Sequence, residues 1–199
     1  MADLFAGGSQ WLLDSDLLYY PDYLSSTAAD SLQQYLLTAI PWQSETVVIY
    51  GKEHVVPRLQ AWLGEGAVSY RYSGKTFTTR QWPQRLADLA AELSTLAGVP
   101  FNSVLLNLYR DGQDAMGWHA DDEPELGDAP VIASLSLGAE RDFALRRKGE
   151  PRQHCTIALA HGSLLIMQPG MQSRWQHAVP RRAGIQKPRI NMTFRRIIN

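Results

Sequence analysis

Two regimes of hydrophobic spacing divide the chain. Between Tyr19 and Trp42, Leu32, Tyr35 and Leu36 recur at helical intervals, with Ser25, Ser26 or Thr27 available as a cap and Pro41 as a stop. This predicts an opening helix over Tyr19–Trp42. A second helix is plainer: Pro83 stands at its start, Leu86, Leu89, Leu93 and Leu96 form one apolar stripe, and Gly98 closes it. Both stripes are expected to pack as core against a sheet. From Phe101 onward the pattern changes to short runs of period two. Strands are predicted at Ser103–Tyr109, Val131–Leu137, Arg141–Arg147, Thr156–Ala160, Ser163–Met167 and Arg189–Ile197. Turn signals at Asp111-Gly112, Gly138, Gly149, Gly162 and Pro169-Gly170 separate them. Earlier strands are expected at Thr46–Tyr50 and Ser69–Tyr72. Helices first and strands after predict an α+β fold, with helices bracing a sandwich or double-sheet barrel.

The bulk properties narrow this picture. With 199 residues, 45% of them hydrophobic, the chain suits one domain over residues 1–199 with a sizeable core. Its first residues, MADLFAGGSQ, lack a basic start followed by an apolar run, and no stretch is long and apolar enough to span a bilayer. The expectation is a protein without signal peptide or membrane segment, working in a reducing cytoplasm as a monomer. Cys155 is the one cysteine, so an internal disulfide framework and a Cys-rich zinc site are both excluded. It reads as a small hydrophobe. A formal net charge of -1 gives no general attraction to phosphate. Charge is segregated, however: acids gather in Asp111–Asp128, bases in Arg146–Arg152 and Arg181–Arg196.

Three segments carry candidate chemistry. In Trp118-His119-Ala120-Asp121, extended backbone points His119 and Asp121 the same way, so an imidazole and a carboxylate occupy neighbouring corners of a metal site. A facial triad for non-haem Fe(II) needs one more histidine, and His177 lies downstream on a later extended segment. Alone, a His-x-Asp pair occurs by chance in many proteins. In Arg189–Arg195, one strand face carries Arg189, Asn191, Thr193 and Arg195, and the other carries Ile190, Met192 and Phe194. That polar face is either ordinary solvated surface or a seat for a small dicarboxylate, which guanidinium groups bind through paired hydrogen bonds. In Val104–Tyr109, Asn107 and Tyr109 interrupt an otherwise apolar strand, which implies a polar interior or a structural hydrogen bond. Their co-occurrence supplies three metal ligands, leaving open positions for a 2-oxo acid and oxygen, and a cationic partner for the far carboxylate.

The run from Asn102 to Lys148, with LAHGSLLIM, SRWQHAVP and PRINMTFRRI after it, resembles the AlkB family, and most closely its DNA-repair branch. NxY, HxD, the distal histidine and RxNxTxR occur in the expected order, over roughly Val47 to the C-terminus. The resemblance implies a double-stranded β-helix (jelly-roll) core over roughly residues 100–199, holding Fe(II) and 2-oxoglutarate, with a nucleotide-recognition lid over roughly residues 42–80. It implies that His119, Asp121 and His177 bind iron, and that Arg189 and Tyr109 hold the distal carboxylate of 2-oxoglutarate. Asn107 and Arg195 would hold the carboxylate near the metal, with Asn191 and Thr193 in support. Glu123, Tyr70, Tyr72 and Arg58 would contact the base, Arg58 from the lid. The implied reaction uses O2 and 2-oxoglutarate to dealkylate bases such as 1-methyladenine and 3-methylcytosine in DNA, with RNA as the second candidate. Alternatives are the same chemistry on RNA, free nucleotides or protein, a non-catalytic damage-binding module, and a cupin-like metal hydrolase. The last leaves RxNxTxR without a task.

Overall fold

The computed structural model describes residues 8–49, 52–66, 69–72 and 75–198. Strands β1 (Gln10–Leu12) and β2 (Leu17–Tyr20) open the chain as a hairpin, followed by α1 (Ser26–Ala39). Next come the hairpin of β3 (Gln43–Ile49) and β4 (Lys52–Gly64), the small hairpin of β5 (Ser69–Tyr72) and β6 (Lys75–Thr78), and β7 (Arg80–Gln81). Helix α2 (Gln84–Ala97) leads into the strand-rich half: β8 (Ser103–Tyr109), β9 (Met116–His119), β10 (Ile132–Gly138), β11 (Arg141–Arg147), β12 (Cys155–Leu159) and β13 (Leu164–Met167). A single helical turn, α3 (Met171–Arg174), precedes β14 (Trp175–Val179) and β15 (Arg189–Arg195).

The second helix forms as its stripe predicts, closed by Gly98 at φ 70, where a left-handed residue costs glycine nothing. The first is shorter than expected. Leu17–Tyr20 pairs with β13, with Tyr19 opposite Leu165, and Pro21 follows directly, so helix cannot start at Tyr19. It starts instead after Ser25, whose hydroxyl accepts a hydrogen bond from the Ala28 N–H at 3.3 Å. Of the expected strand Thr46–Tyr50, the last residue lies outside the described residues.

Two antiparallel sheets dominate. The larger runs β1-β2-β13-β10-β15-β8-β4-β3, with β7 added parallel to the end of β4; the smaller runs β12-β11-β14-β9. Period two sorts the larger sheet's side chains between two environments. Val104, Leu106 and Leu108, Ala133, Leu135 and Leu137, and Ile190, Met192 and Phe194 share one cluster with Leu32 and Leu36 of α1 and Leu86, Leu89 and Leu93 of α2. Ile132, Leu165 and Met167 belong to a second cluster with Phe143, Leu145, Leu159 and Trp175 of the smaller sheet, against which Cys155 packs half-buried. The space between the sheets holds the candidate site.

One polar clasp ties the opening hairpin to the strand that carries His177. Asp16, just before β2, accepts hydrogen bonds from Arg174 Nε at 3.1 Å and Trp175 Nε1 at 2.7 Å, with Arg174 Nη2 on its other oxygen. The hydrogen bond from Arg174, against the opposing effect of burial, holds this carboxyl below the usual Asp range. A depressed folded-state pKa means the unfolded chain protonates first as pH falls. The contribution is complete above an ordinary Asp pKa of ~3.9 and is lost as pH drops through the lowered value. Asp16→Ala leaves the buried Trp175 N–H without its acceptor, and is expected to lower stability by about 1–3 kcal/mol at pH 7. Urea unfolding at pH 7 and pH 3 checks this, the difference from wild type shrinking at the lower pH.

Candidate active site

Strand pairing brings the two distant histidines together. His119 on β9 stands opposite His177 on β14, with ring centroids 4.2 Å apart. Phe143 from β11 stacks on the His177 ring at 5.0 Å and fixes its plane. Asp121 follows two residues after β9, in irregular chain, yet its Oδ1 lies 3.7 Å from His119 Nε2. One ligand atom from each of His119, Asp121 and His177 falls within 4.8 Å of the others. The His119 Nδ1–H donates to the Gly117 carbonyl at 2.8 Å, which leaves Nε2 with its lone pair free for a metal. Asp121 Oδ2 receives Arg195 Nη2 at 2.9 Å, both side chains being almost wholly buried. Burial alone would raise the Asp121 carboxyl, but Arg195 and then the histidines hold it well below the usual range. Burial, then the neighbouring His119, pulls His177 down to about 3. Neutral imidazoles beside an ionised carboxylate are the state a divalent cation needs.

The larger sheet supplies the other wall. Gln60, Asn107, Asn191 and Ser136 stand in one row across β4, β8, β15 and β10, and Tyr109 pairs with Arg189 in the next. The polar face of β15 is therefore not solvated surface: Arg189, Asn191, Thr193 and Arg195 are all buried and all line the cavity. Asn191 donates to Ser134 Oγ at 2.8 Å, and Thr193 donates to Asn191 Oδ1 at 3.0 Å, so each is locked. Arg189 donates from Nη2 to Ser136 Oγ at 2.9 Å and stands 5.2 Å from the Tyr109 ring centre. Its Nε and Nη1, like His177 Nδ1, are buried with no hydrogen-bond partner among the described residues. Burial pulls this guanidinium down to about 10.

The residues expected to contact the base fall in three settings. Arg58 lies within the expected lid span. It is buried on β4, donating from Nε to Asn107 Oδ1 at 2.6 Å, and it lines the cavity. Glu123 is half-buried, lies just beyond Asp121 and does not line the cavity. Tyr70 and Tyr72 lie on β5, where side chains are outside what the structure describes. Sequence reasoning missed Gln60, whose amide donates to Asn107 Oδ1 at 2.9 Å, and the two serines that hold Arg189 and Asn191. A signal existed in Val56-x-Arg58-x-Gln60-x-Trp62, a period-two run interrupted by Pro57.

A two-histidine, one-carboxylate corner with an unsatisfied buried guanidinium across the cavity defines a non-haem Fe(II) site built to take an anionic co-substrate. Residues 16–195 match the model of the 2OG-Fe(II) oxygenase superfamily. The human alpha-ketoglutarate-dependent dioxygenase alkB homolog 3 is 38% identical over 192 residues, covering 92% of this chain and 66% of its own length. Mouse DNA oxidative demethylase ALKBH2 is 42% identical over 159 residues, covering 76% and 66%. The Arabidopsis thaliana protein of the latter name is 34% identical over 210 residues, covering 92% and 67%. The solved structure of OsALKBH1 has a TM-score of 0.66 over 95% of this chain and 100% of its own, at 15% identity, a likeness of fold alone. This chain belongs to the AlkB family of the 2OG-Fe(II) oxygenase superfamily. It spans just under two thirds of the length of the human and mouse relatives.

The family's requirements, Fe(II), 2-oxoglutarate and O2, fit the residues present. The orphaned polar atoms of His177 and Arg189 mark where partners are wanting. Three guanidinium groups, of Arg58, Arg189 and Arg195, line the cavity against one carboxylate, of Asp121, an excess suited to a dianion. Arg189 in the ligand-free protein is a buried cation short of partners. Arg189→Met is accordingly expected to leave stability unchanged or raise it by up to about 4 kcal/mol. Added 2-oxoglutarate is expected to raise the Tm of the wild type and not of the variant, and thermal denaturation with and without it measures both effects.

Proposed function

We propose that this protein is an Fe(II)- and 2-oxoglutarate-dependent dioxygenase that removes alkyl groups from nucleic-acid bases, with 1-methyladenine and 3-methylcytosine in DNA as its lesion type. The observation that carries the reading is the His119–Asp121–His177 corner, facing a buried arginine wall within an AlkB-family chain. Bound iron supplies, with O2 and 2-oxoglutarate, a two-electron oxidation that places oxygen on the alkyl carbon and leaves succinate and CO2. The hydroxylated carbon then parts from the base nitrogen as an aldehyde, formaldehyde from a methyl group.

The chain's own residues divide the remaining work. His119, Asp121 and His177 hold the metal. Arg189, with Tyr109 beside it, takes the far carboxylate of 2-oxoglutarate through the nitrogens left free by Ser136. Asn107 and Arg195 serve the carboxylate near the metal. Arg58 and Gln60 both donate to Asn107 Oδ1, which turns its amide N–H groups away from them. Asn191 and Thr193 keep the wall in place. We read the double sheet as a jelly-roll and residues 42–80 as the lid, with Tyr70 and Tyr72 contacting the extruded base. A lesion on the pairing edge weakens its own base pair and lowers the cost of extrusion. Glu123, near the ligand loop, favours cationic alkylated bases by charge.

The decisive test is mass spectrometry of an oligonucleotide carrying 1-methyladenine or 3-methylcytosine, incubated with protein, Fe(II), 2-oxoglutarate and O2. Loss of one CH2 unit is expected, absent with His119→Ala and absent without 2-oxoglutarate. Succinate formation without that loss would keep the oxygenase and move the substrate to RNA or protein; neither product, with iron bound, would favour a binding module. Glu123→Gln is expected to shrink the preference for cationic over neutral lesions by up to about 5-fold. An unchanged ratio of kcat/KM values would remove Glu123 from substrate selection.

A further inference from the structure

Asp121 is the one residue of the metal corner that secondary structure does not hold. β9 ends at His119, and residues 120–123 belong to no strand or helix, so the Asp121 backbone has no ladder to fix it. The residue is nonetheless almost fully buried, and its N–H must find an acceptor away from water. That acceptor is a side chain from another element: Gln172 Oε1, at 2.9 Å. Gln172 sits on the single turn α3 and is only 2% exposed. Its other end is fixed too, since Nε2 donates to Met167 Sδ at 3.0 Å on β13. Thioether sulfur accepts and cannot donate, so this contact sets which way the amide points. A flipped amide would press its NH2 against the Asp121 N–H and lose both bonds.

The turn carrying Gln172 is itself anchored. Met171 is fully buried, and Arg174 at the end of the turn is bound to Asp16. The next element is β14, which delivers His177. Gln172 therefore links the loop bearing Asp121 to the segment bearing His177, while Arg195 holds the carboxylate at its other end. Two fixed points, one on the backbone and one on the carboxylate, leave Asp121 Oδ1 turned toward His119 Nε2.

We propose that Gln172 is a positioning residue of the metal centre, which orients Asp121 as a ligand by holding its backbone N–H in a direction set by Met167. The proposal rests on the reading of His119, Asp121 and His177 as metal ligands. Residues that orient ligands in this way typically change metal affinity by about 10–100-fold when lost.

The test uses the full chain, stripped of metal and titrated with Co(II), a spectroscopic substitute for Fe(II) whose visible bands report coordination geometry. Gln172→Met, similar in volume and lacking the acceptor, is expected to weaken Co(II) binding by about 10–100-fold and to alter the visible spectrum. Met167→Leu, which frees the amide to turn but spares its contact with Asp121, is expected to give a smaller loss in the same direction. The Tm of the metal-free protein separates positioning from simple structural support. Wild-type affinity and spectrum in both variants would overturn the proposal. So would a loss of affinity with an unaltered spectrum that follows the fall in metal-free Tm. If Gln172→Met does not fold, Met167→Leu decides alone, by the presence or absence of its affinity loss. His177→Ala is the control on the underlying reading. If it binds Co(II) as wild type does, the metal corner itself is wrong; if it does not bind while Gln172→Met is unaffected, only the role of Gln172 fails.

Discussion

The register between β8 and β15 is the constraint on which the molecule turns. With Asn107 opposite Asn191 and Tyr109 opposite Arg189, one face of the pair, Leu105, Asn107 and Tyr109 with Arg189, Asn191, Thr193 and Arg195, is committed to the cavity. The residues between them, Leu106, Leu108, Ile190 and Met192 among them, are committed to the helix-covered core. A slip of one residue would put guanidinium groups into the apolar cluster and Met192 and Phe194 into the cavity, which neither environment tolerates. Function and core packing are thus two faces of one ladder. Neither can be rearranged without moving the other, and the same register carries on to Ser136 on β10 and Gln60 on β4.

That coupling explains what was legible in the sequence. Alternation in Arg189–Arg195 is complete on both faces, and in Val104–Tyr109 the polar Asn107 and Tyr109 break an apolar run, so both strands and their inward polar residues could be read directly. The stripe and closing glycine of α2 were equally plain. β4 was obscured by Pro57, which removes a donor from the strand interior, and with it went Gln60 and the buried setting of Arg58. The opening helix was drawn too long because Leu17–Tyr20 shows no spacing that separates a short buried strand from helix. Ser134, Ser136 and Gln172 were beyond reach for another reason. Each acts through a partner on a different element, and only the folded register shows which serine meets which arginine or amide.

The cavity also shows how a fold keeps a costly arrangement. Buried guanidinium groups outnumber buried carboxylates there, and two nitrogens of Arg189 lack partners within the described protein. Such a site resists collapse, because the helix-packed face behind it fixes the strands that carry the charges. An anionic co-substrate relieves this imbalance, so a preference for anions follows from the protein's own distribution of charge.

β9 has one further property. Among the described residues it is the outermost strand of the smaller sheet, paired with β14 on one side only, while β14 is flanked on both. Of the two histidines, His177 therefore belongs to the sheet's interior and His119 to its margin. Margins are where hydrogen-bonded structure opens first, since a single ladder must break to release them. A cation held by His119 and His177 would close that margin from within, as a rivet closes the free edge of a plate. Metal occupancy and local order at the edge would then be a single equilibrium, in which chelation would loosen the border of the sheet before its centre.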